Sequence, residues 1–399
     1  MKILVLNCGS SSIKYKLFDM TNATVAAQGG IEKIGLPGSF LKFTLPSDEK
    51  VVLEKSIPEH TVGIEFILET LVSKKYGCLS SLDEIKAVGH RVVHGGEKFN
   101  ESVIITKEVI KQVEDCSDLA PLHNPANLKG VATISKLLPN ISQVAVFDTA
   151  FHQSMPSHAY MYALPYEYYT KYAVRRYGFH GTSHRYVSKR AIEMLGLDPS
   201  NNKIITCHIG NGGSITAVLN GKSVDTSMGL TPVEGLMMGT RSGDVDAGAL
   251  TFLMDKEGLD AAGVSSLVNK KSGILGVSGV SSDMREIDAA AEQGNERAVL
   301  GKDMYFYRIR KYIGAYAAAL GGVDAIVFTG GVGENSSECR AIACNGLQFI
   351  GVELDEIINA KTRGEDKVIS TVNSKVKVAV IPTDEEYMIA FDTKTLLNL

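Results

Sequence analysis

Three short turns rich in glycine or serine lie where phosphate chemistry would need them. They occupy residues 8–12, 210–214 and 330–335, and each directly follows a strongly apolar run. Glycine lets backbone N–H groups approach a ligand closely and serine adds a donor, so such turns can hold phosphate oxygens. One such turn alone is more often an ordinary hairpin. Three of them, each at the end of an apolar strand, together predict a nucleotide ligand.

The turns do not match the commonest nucleotide-binding motifs. The sequence contains no G-x-x-x-x-G-K-[ST] Walker loop, and none of the three turns fits a dinucleotide fingerprint with its helix and ribose-binding acid. The plan that remains is that of the actin-like ATPases. In that plan, hairpin loops from two related domains grip the phosphates.

Charged residues are placed at the ends of two other apolar runs. Arg91 lies in the run Ala87–Gly96, and Val144–Asp148 ends in an acid. Functional groups collect at the carboxyl ends of strands in open α/β sheets. The guanidinium groups of Arg91 and Arg241 could bind carboxylate or phosphoryl oxygens in a fixed fork geometry. A lone arginine outside such motifs is more often part of a surface ion pair.

The first of these turns belongs to a pattern that recurs about two hundred residues later in the chain. Residues 2–7 form an apolar run before the first turn and a second strand-like run over 13–18, and residues 203–208 precede the second turn and a run over 215–219. Lys2 aligns with Lys203 and Asn7 with His208. A repeat of this kind predicts a duplicated fold with two facing phosphate-binding loops.

The other elements are predicted from periodicity and from stop signals. Helical periodicity covers 62–74 and 126–138, where Pro139 ends the pattern. The dipeptide at 220–221, Asn-Gly, predicts a hairpin turn. A buried strand over 323–329 should run into the third glycine-rich loop. The strand 376–381 should be followed by a helix with Thr383 as its N-cap.

Bulk composition limits the classes of function. A chain of 399 residues predicts two domains, joined by a crossing over 155–172, and 44% hydrophobic residues suffice for both cores. The net charge of −4 is too balanced for a nucleic-acid or membrane-surface protein. We find neither a membrane-spanning run nor a signal peptide, and the six cysteines show no zinc-site spacing. We therefore expect a soluble, cytoplasmic protein with reduced thiols.

Six longer motifs carry a resemblance to a known family. The whole chain resembles the acetate kinase family, within the superfamily of acetate and sugar kinases, Hsp70 and actin. The motifs that carry the resemblance are Asn7–Lys14, Gly89–Gly96, Phe147–His152, Tyr177–His184, His208–Gly212 and Pro382–Glu386. The resemblance implies Mg²⁺-dependent, reversible transfer of the ATP γ-phosphoryl group to acetate, which gives acetyl phosphate and ADP. It also implies a homodimer.

The resemblance assigns the catalytic roles and the substrate pocket. Arg91 and Arg241 would stabilise charge, His180 would donate to the transferring phosphoryl group, and Asp148 would be the active-site acid. We predict that Asp148 orients Arg91 and the metal side of the site rather than removing a proton. A carboxylate acceptor is already ionised at pH 7, so the reaction needs no general base. The family's pocket for the acetate methyl group corresponds to Val93, Leu122, Phe179 and Pro232.

The nucleotide and metal ligands rest on the same resemblance. Asn7 and Glu385 match the metal positions for Mg²⁺, for which Mn²⁺ could substitute, although the neighbouring Asp384 and Glu386 leave open which carboxylate faces the ion. The other acids of this cluster would then serve the helix N-terminus. The residues expected to bind ATP or ADP are Lys14, His208, Ile209, Gly210, Asn211, Gly212, Asp283, Met284, Arg285, Gly331, Val332, Gly333, Glu334 and Asn335.

The fold implied is α/β, with two duplicated actin-like, ribonuclease H-like domains and a nucleotide cleft between them. The first domain would take residues 1–150 and the terminal helix 385–399. The second, residues 151–384, would carry the adenosine site and the dimer interface. Two other functions stay open, a propionate or butyrate kinase of the same family and an ATPase module of the Hsp70 or actin kind.

Overall fold

The computed structural model describes residues 1–45, 49–121 and 123–399, and within these ranges it contains fourteen strands and fifteen α-helices. The strands are β1 (Lys2–Cys8), β2 (Ile13–Asp19), β3 (Thr24–Glu32), β4 (Phe40–Thr44), β5 (Lys50–Glu54), β6 (Ile85–Val92), β7 (Val103–Ile104), β8 (Ser142–Phe147), β9 (Lys203–Ile209), β10 (Gly213–Leu219), β11 (Lys222–Thr226), β12 (Ala325–Thr329), β13 (Lys367–Val368) and β14 (Lys377–Val380).

The α-helices are α1 (His60–Leu71), α2 (Lys107–Asp115), α3 (Asn124–Leu137), α4 (Ser157–Tyr160), α5 (Tyr166–Tyr172), α6 (Gly181–Leu195), α7 (Ala247–Glu257), α8 (Ala261–Lys270), α9 (Gly273–Ser278), α10 (Met284–Glu292), α11 (Glu296–Ala319), α12 (Gly330–Asn335), α13 (Ser337–Cys344), α14 (Glu356–Lys361) and α15 (Glu385–Leu396). No helix in the described part of the chain combines the length and the apolar character needed to cross a membrane.

The chain forms two compact units, and each has its own mixed sheet. Unit 1 comprises Met1–Phe151 and Asp384–Leu399, and unit 2 comprises His152–Thr383. The strand order is β5-β4-β3-β2-β1-β6-β8-β7 in unit 1 and β11-β10-β9-β12-β14-β13 in unit 2. The predicted α/β class is therefore confirmed.

The predicted duplication is also confirmed, because the two sheets share one plan. In unit 1, β1 pairs antiparallel with β2 and parallel with β6, and in unit 2, β9 pairs in the same two ways with β10 and β12. The two leading strands have the same burial pattern, in which only the first residue and the sixth, Asn7 or His208, are not buried. The sixth residue is therefore the one whose side chain is partly accessible near the end of the strand.

The turns after these leading strands differ by one residue. In unit 1 the Gly9 N–H donates to the Ser12 carbonyl at 2.8 Å, whereas in unit 2 the Gly210 N–H donates to the Gly212 carbonyl at 3.0 Å. The hairpin turn predicted at Asn220 and Gly221 is confirmed, since both residues have positive φ, 51° for Asn220 and 76° for Gly221. Positive φ at both central positions is what a tight hairpin turn between twisted strands requires.

The third glycine-rich segment was predicted to be a loop, but the structure shows the short helix α12 there. Gly330 has φ 77°, and a Cβ atom there would lie 2.9 Å from the Ile209 backbone nitrogen, so only glycine fits where strand β12 turns into the helix. The Glu334 carboxylate accepts from the Gly330 N–H at 2.8 Å and satisfies the first turn. Glycine content alone could not reveal this cap.

The N-cap predicted at Thr383 is wrong by one residue. Asp384 caps α15, because its carboxylate accepts from the Tyr387 N–H at 3.1 Å. A carboxylate in this position both satisfies an unpaired N–H group and complements the helix dipole. The predicted helices at 62–74 and 126–138 are confirmed as α1 and α3, with ends shifted by one to three residues.

Helix α15 completes the core of unit 1, where it contacts β1, β6 and β8. The contact with β6 depends on Gly89. A Cβ atom at this position would lie 2.6 Å from both Ile389 Cγ2 and Thr393 Oγ1. Glycine therefore sets the distance between the helix and the strand that carries Arg91.

We expect Gly89→Ala to lower the free energy of unfolding of the protein by about 1–3 kcal/mol, because the added methyl group overpacks this contact. Urea unfolding followed by circular dichroism measures the change. Gly314→Ala in α11 is the matched control, since nothing lies within 4 Å of its Cβ position. The control should raise stability by about 1 kcal/mol through helix propensity, and equal effects of the two changes would contradict the packing argument.

Candidate active site

Arg91, Asp148 and Asn7 meet where three neighbouring strands of unit 1 end. Arg91 lies in β6, Asp148 directly follows β8, and Asn7 is next to last in β1. Arg91 Nε donates to Asp148 Oδ1 at 3.0 Å, Nη2 donates to Asp148 Oδ2, and Nη1 donates to Asn7 Oδ1 at 3.2 Å. Three of the five guanidinium N–H donors are thus used. Two have no hydrogen-bond acceptor among the described residues and could bind an anion.

The ion pair fixes the orientation of the guanidinium group. The Asp148 side chain is only 2% exposed and the Arg91 side chain 24%. Burial disfavours the charge on Arg91, but Asp148 and then Glu385 counteract burial, and the net direction of its pKa is upward. Arg91 is therefore a permanently charged group with one open side.

The three acids at the start of α15 have different environments. Lys16 Nζ lies 3.2 Å from both Asp384 Oδ1 and Glu386 Oε2, so these two carboxylates share one cation. Glu385 has no hydrogen bond or ion pair within the described residues. Of the three acids, Glu385 is therefore the one that does not contact Lys16.

Burial raises the pKa of Glu385 to about 7, the negative charges of Asp148 and Glu386 act in the same direction, and Arg91 and Lys14 oppose the rise. A carboxylate held this way gains by binding a cation. Asn7 Oδ1 and Glu385 are hard oxygen donors, which fit Mg²⁺ because this ion keeps several waters and needs few protein ligands. No cluster of three or more His, Cys, Asp or Glu side chains suited to a metal occurs in the described residues.

Lys14 lies beside this group on the next strand. In the antiparallel pair of β1 and β2 it is directly opposite Asn7, and its side chain is exposed. Its ammonium group can therefore reach a ligand held at the end of β1.

In unit 2, His180 lies at a strained position in front of α6. It is the N-cap residue and has φ 55°, a left-handed conformation that is uncommon for residues other than glycine. Its Nδ1 atom is 2.9 Å from Ser214 Oγ, and its ring stacks on that of His208 with centroids 4.2 Å apart. His208 Nδ1 is in turn 2.8 Å from Ser183 Oγ. In both rings, the Nδ1 atom therefore forms a hydrogen bond with a serine hydroxyl group.

Arg241 lies near Gly212, which is also close to the His180 ring. Its Nη1 atom is 3.5 Å from the Pro232 carbonyl oxygen and 3.2 Å from the position of a Cβ atom at Gly212. Burial lowers its pKa, and no carboxylate within the described residues pairs with it. A half-buried guanidinium without a counter-charge can bind an anion.

A cavity of about 830 Å³ in unit 2 brings together eight of the residues expected to bind nucleotide. These are Gly210, Asn211, Asp283, Met284, Arg285, Gly331, Val332 and Asn335. Five others from unit 2 do not line it, namely His208, Ile209, Gly212, Gly333 and Glu334. Of these, His208 and Gly212 lie against His180 and Arg241 instead.

The Glu334 carboxylate accepts hydrogen bonds from backbone N–H groups of unit 2. Its Oε1 atom accepts from the Gly330 N–H and, at 3.2 Å, from the Thr383 N–H, which joins the ends of β12 and β14. The fully buried Arg340 donates to the carbonyl oxygens of Gly333 and Glu334 at 2.9 and 3.0 Å. These bonds hold α12, and with it one wall of the cavity, in place.

The cavity also contains residues that the sequence analysis missed. They are Gly239, Ile274, Ser282, Asp288, Tyr305, Ser336, Ser337, Glu338 and Arg363. Ser282 and the run 336–338 directly adjoin predicted residues, so their position along the chain could have suggested them. Gly239, Ile274, Tyr305 and Arg363 come from separate segments, and no local pattern indicates them.

The residues expected to form the methyl pocket are placed as follows. Val93 is buried in unit 1, where its N–H donates to Asn127 Oδ1 at 3.1 Å. Phe179 is buried in unit 2 directly before His180, and Pro232 contacts Arg241. Leu122 lies outside the described residues.

Comparison with known proteins gives one family. The model of the acetokinase family matches residues 2–391. The acetate kinase of Bacteroides thetaiotaomicron is 71% identical over 398 residues and 100% of each chain. The crystal structure of Porphyromonas gingivalis acetate kinase matches with a TM-score of 0.97 at 66% identity, over 99% of each chain. That of a propionate kinase from Francisella tularensis matches with a TM-score of 0.92 at 40% identity, also over 99% of each.

Because the family model covers nearly the whole chain and the relative from Bacteroides thetaiotaomicron is 71% identical along its full length, the chain belongs to the acetokinase family.

Proposed function

We propose that this protein is an acetate kinase, which transfers the γ-phosphoryl group of ATP reversibly to acetate and gives acetyl phosphate and ADP. It is a phosphotransferase with a carboxylate acceptor. The observation that carries the proposal is Arg91, which Asp148 holds by two hydrogen bonds while two of its N–H donors point to no acceptor in the described residues. A planar fork of this kind suits the two oxygens of a carboxylate.

The acceptor needs orientation and charge compensation rather than deprotonation. Acetate has a pKa near that of a carboxyl side chain, about 4, and is ionised at pH 7. Both oxygens of Asp148 already accept from Arg91. Asp148 therefore acts by fixing Arg91, and the charge of Arg91 offsets the repulsion between acetate and the phosphates.

Unit 2 supplies the groups that suit the phosphoryl group. Phosphoryl transfer spreads negative charge over three equatorial oxygens, and protein groups catalyse it mainly by positioning and by stabilising that charge. Arg241 is a half-buried cation without a counter-charge, and both it and His180, which contacts Ser214, lie next to Gly212. We assign the stabilisation of the transferring group to these two residues, with ATP in the cavity of about 830 Å³.

Mg²⁺ would be held by Asn7 and Glu385, and Mn²⁺ could replace it. When bound, the ion supplies positive charge that neutralises the phosphate oxygens. The fit rests on the donor chemistry of the two side chains and on Glu385, whose carboxylate has no protein partner among the described residues. We favour Glu385 over Asp384 and Glu386 for this role because both of those carboxylates already contact Lys16.

Propionate is the second candidate acceptor. The propionate kinase of Francisella tularensis has 40% identity with this chain, so the family fold accommodates both acids. The relatives named acetate kinase are closer, at 71% and 66% identity. We therefore assign acetate as the preferred substrate and propionate as a poorer one, because one methylene in an apolar pocket changes specificity by only about 1–3 kcal/mol.

We further propose that the two actin-like domains are residues 1–150 with 385–399 and residues 151–384, and that the reaction takes place in the cytoplasm. ATP is available there, and thiols remain reduced. All six cysteines are free, which is consistent with that compartment.

A homodimer formed through unit 2 is supported by exposed apolar side chains. Helices α7 and α8 contain no buried residue, although α7 is rich in apolar side chains and Phe252 is 59% exposed. Leu300, Met304 and Tyr307 form an exposed stripe on α11 at helical spacing. Apolar surface of this extent marks an interaction site, and a second copy of the chain would cover it.

The assay that tests the function couples ADP formation to an indicator enzyme and traps acyl phosphate with hydroxylamine. We expect trapping that depends on acetate, ATP and Mg²⁺. Arg91→Ala should lower kcat/KM for acetate by about 10²- to 10³-fold, the usual effect of removing a group that stabilises developing charge. Arg190→Ala, which removes an exposed arginine paired with Asp366, is the control and should act as wild type. ADP release that no carboxylate stimulates would instead indicate an ATPase module.

We expect Val93→Ala to raise the ratio of kcat/KM for propionate to kcat/KM for acetate by roughly tenfold, since the smaller side chain makes room for one methylene. Steady-state assays of both acids measure the ratio. Val113→Ala removes the same atoms from a buried position in α2 and should leave the ratio unchanged. An unchanged ratio in Val93→Ala would exclude Val93 from the substrate pocket.

The dimer is tested by light scattering coupled to size-exclusion chromatography. The wild-type protein should have twice the mass of one chain, and Phe252→Glu should shift it to the monomer, because burying an unpaired carboxylate in an interface is unfavourable. Phe349→Glu alters an even more exposed phenylalanine, at 78%, outside these helices and should keep the dimer. A dimer that survives Phe252→Glu but not Phe349→Glu would place the interface elsewhere.

A further inference from the structure

Four buried or half-buried side chains of unit 2 form a continuous line of hydrogen bonds that ends at His180. Thr206 Oγ1 is 2.7 Å from His184 Nδ1, His184 Nε2 is 2.7 Å from Ser214 Oγ, and Ser214 Oγ is 2.9 Å from His180 Nδ1. Thr206, His184 and Ser214 are each 0% exposed. The family motifs contain His184 but give no role to Thr206 or Ser214.

The direction of every bond in this line follows from the residue at its far end. A buried hydroxyl group donates its proton to an acceptor. Within the described residues the Thr206 hydroxyl has one partner, His184 Nδ1. Thr206 must therefore donate, and His184 Nδ1 must accept, which requires that this nitrogen carries no proton.

The next two bonds are then determined. Burial, and after it the charges that His152 and His208 can carry, lower the pKa of His184 well below its usual value, so the ring is neutral. With Nδ1 bare, a neutral ring has its proton on Nε2 and donates to Ser214 Oγ. Ser214 then has its own proton left for His180 Nδ1, its other partner in the described residues.

We propose that Thr206, His184 and Ser214 are positioning residues that fix His180 as the neutral tautomer with its proton on Nε2, the form that can donate a hydrogen bond to the transferring phosphoryl group. The proposal deepens the function assigned above and rests on it for the identity of the acceptor oxygen. The arrangement of protons itself does not depend on any substrate. A reversed line would leave the Thr206 proton without an acceptor among the described residues.

The rest of the surroundings keeps the His180 ring in one orientation. The backbone at His180 is left-handed, its carbonyl oxygen accepts from the His184 N–H at 2.9 Å, and its ring stacks on His208 with an interplanar angle of 23°. The ring plane is thus fixed by backbone and stacking. The hydrogen-bond line adds what stacking cannot determine, namely which ring nitrogen carries the proton.

The tautomer can be read directly by ¹⁵N NMR of the protein labelled at its nine histidines. We expect His180 to show an unprotonated Nδ1 and a protonated Nε2, with the resonance assigned through the His180→Gln variant. This measurement needs neither substrate nor turnover. A spectrum in which His180 Nδ1 is protonated would overturn the proposal.

Variants at the far end of the line test its catalytic consequence. Thr206→Val keeps the shape of the side chain but removes the donor, so we expect mixed tautomers of His180 and a fall in kcat of about tenfold, with KM for ATP and acetate within about twofold of wild type. Thr206→Ser keeps the hydroxyl group and should restore both the tautomer and most of kcat.

Thr216→Val is the matched control. Thr216 pairs directly with Thr206 across β9 and β10, is equally buried, and bonds Thr226 Oγ1 at 2.8 Å instead of a histidine. It should affect stability like Thr206→Val and leave the His180 tautomer and kcat unchanged. Equal losses of kcat in both valine variants, or wild-type kcat in Thr206→Val, would overturn the proposal.

The outcomes also separate this inference from the function. A wild-type protein that shows the expected tautomer but no acetate-dependent turnover would contradict the proposed function and leave the proton arrangement supported. Acetate-dependent turnover together with a protonated His180 Nδ1 would support the function and overturn the proposed tautomer of His180.

Discussion

The ion pair between Arg91 and Asp148 is the interaction on which the arrangement of unit 1 depends. Removing two charges from water costs several kcal/mol for each ion, and only good geometry with further hydrogen bonds compensates that cost. Here the strands provide that geometry, because β6 and β8 are adjacent and parallel and deliver the arginine and the acid to the same edge of the sheet. Asn7, from the next strand, occupies a third donor of the guanidinium group.

The same geometric constraint explains why small changes of packing far from the pair should matter. Gly89 lies two residues before Arg91 and faces α15, which also carries Glu385. The helix contact, the position of β6 and the position of the acid therefore depend on one glycine. A site made of long charged side chains gains its precision from close backbone packing of this kind.

The duplicated fold places different chemistry at equivalent positions of the two sheets. The register that pairs Leu6 with His90 in unit 1 pairs Cys207 with Phe328 in unit 2, so Thr329 occupies the position of Arg91. Where unit 1 joins its strand ends by an arginine and an aspartate, unit 2 joins β12 and β14 through Glu334, which accepts from the backbone of Gly330 and Thr383. One fold thus presents an arginine–aspartate pair in unit 1 and a carboxylate bound to backbone amides in unit 2.

Sequence reasoning located what is contiguous along the chain and missed what only folding brings together. The repeat of Lys2 and Lys203, the strand ends at Arg91 and Asp148, and the glycine-rich turns at 210–214 and 330–335 follow from local patterns, whereas residues 283–285 were expected only from the family resemblance. The cap at Asp384 and the helix at 330–335 were misjudged because each depends on which side chain reaches a free N–H group. Tyr305 and Arg363 line the cavity from distant segments, and no local pattern records such an approach.

The two units also differ in how they orient a functional side chain, and the difference has a physical reason. Arg91 keeps its charge under all conditions, so a counter-ion can hold it. His180 can exist in two neutral forms that differ only in the position of one proton, and a counter-ion would favour a third, charged form. A line of neutral donors and acceptors that begins at the Thr206 hydroxyl selects one neutral form without adding charge beside the phosphoryl group. Buried hydroxyl groups next to a functional histidine are therefore as informative about its chemistry as any nearby acid.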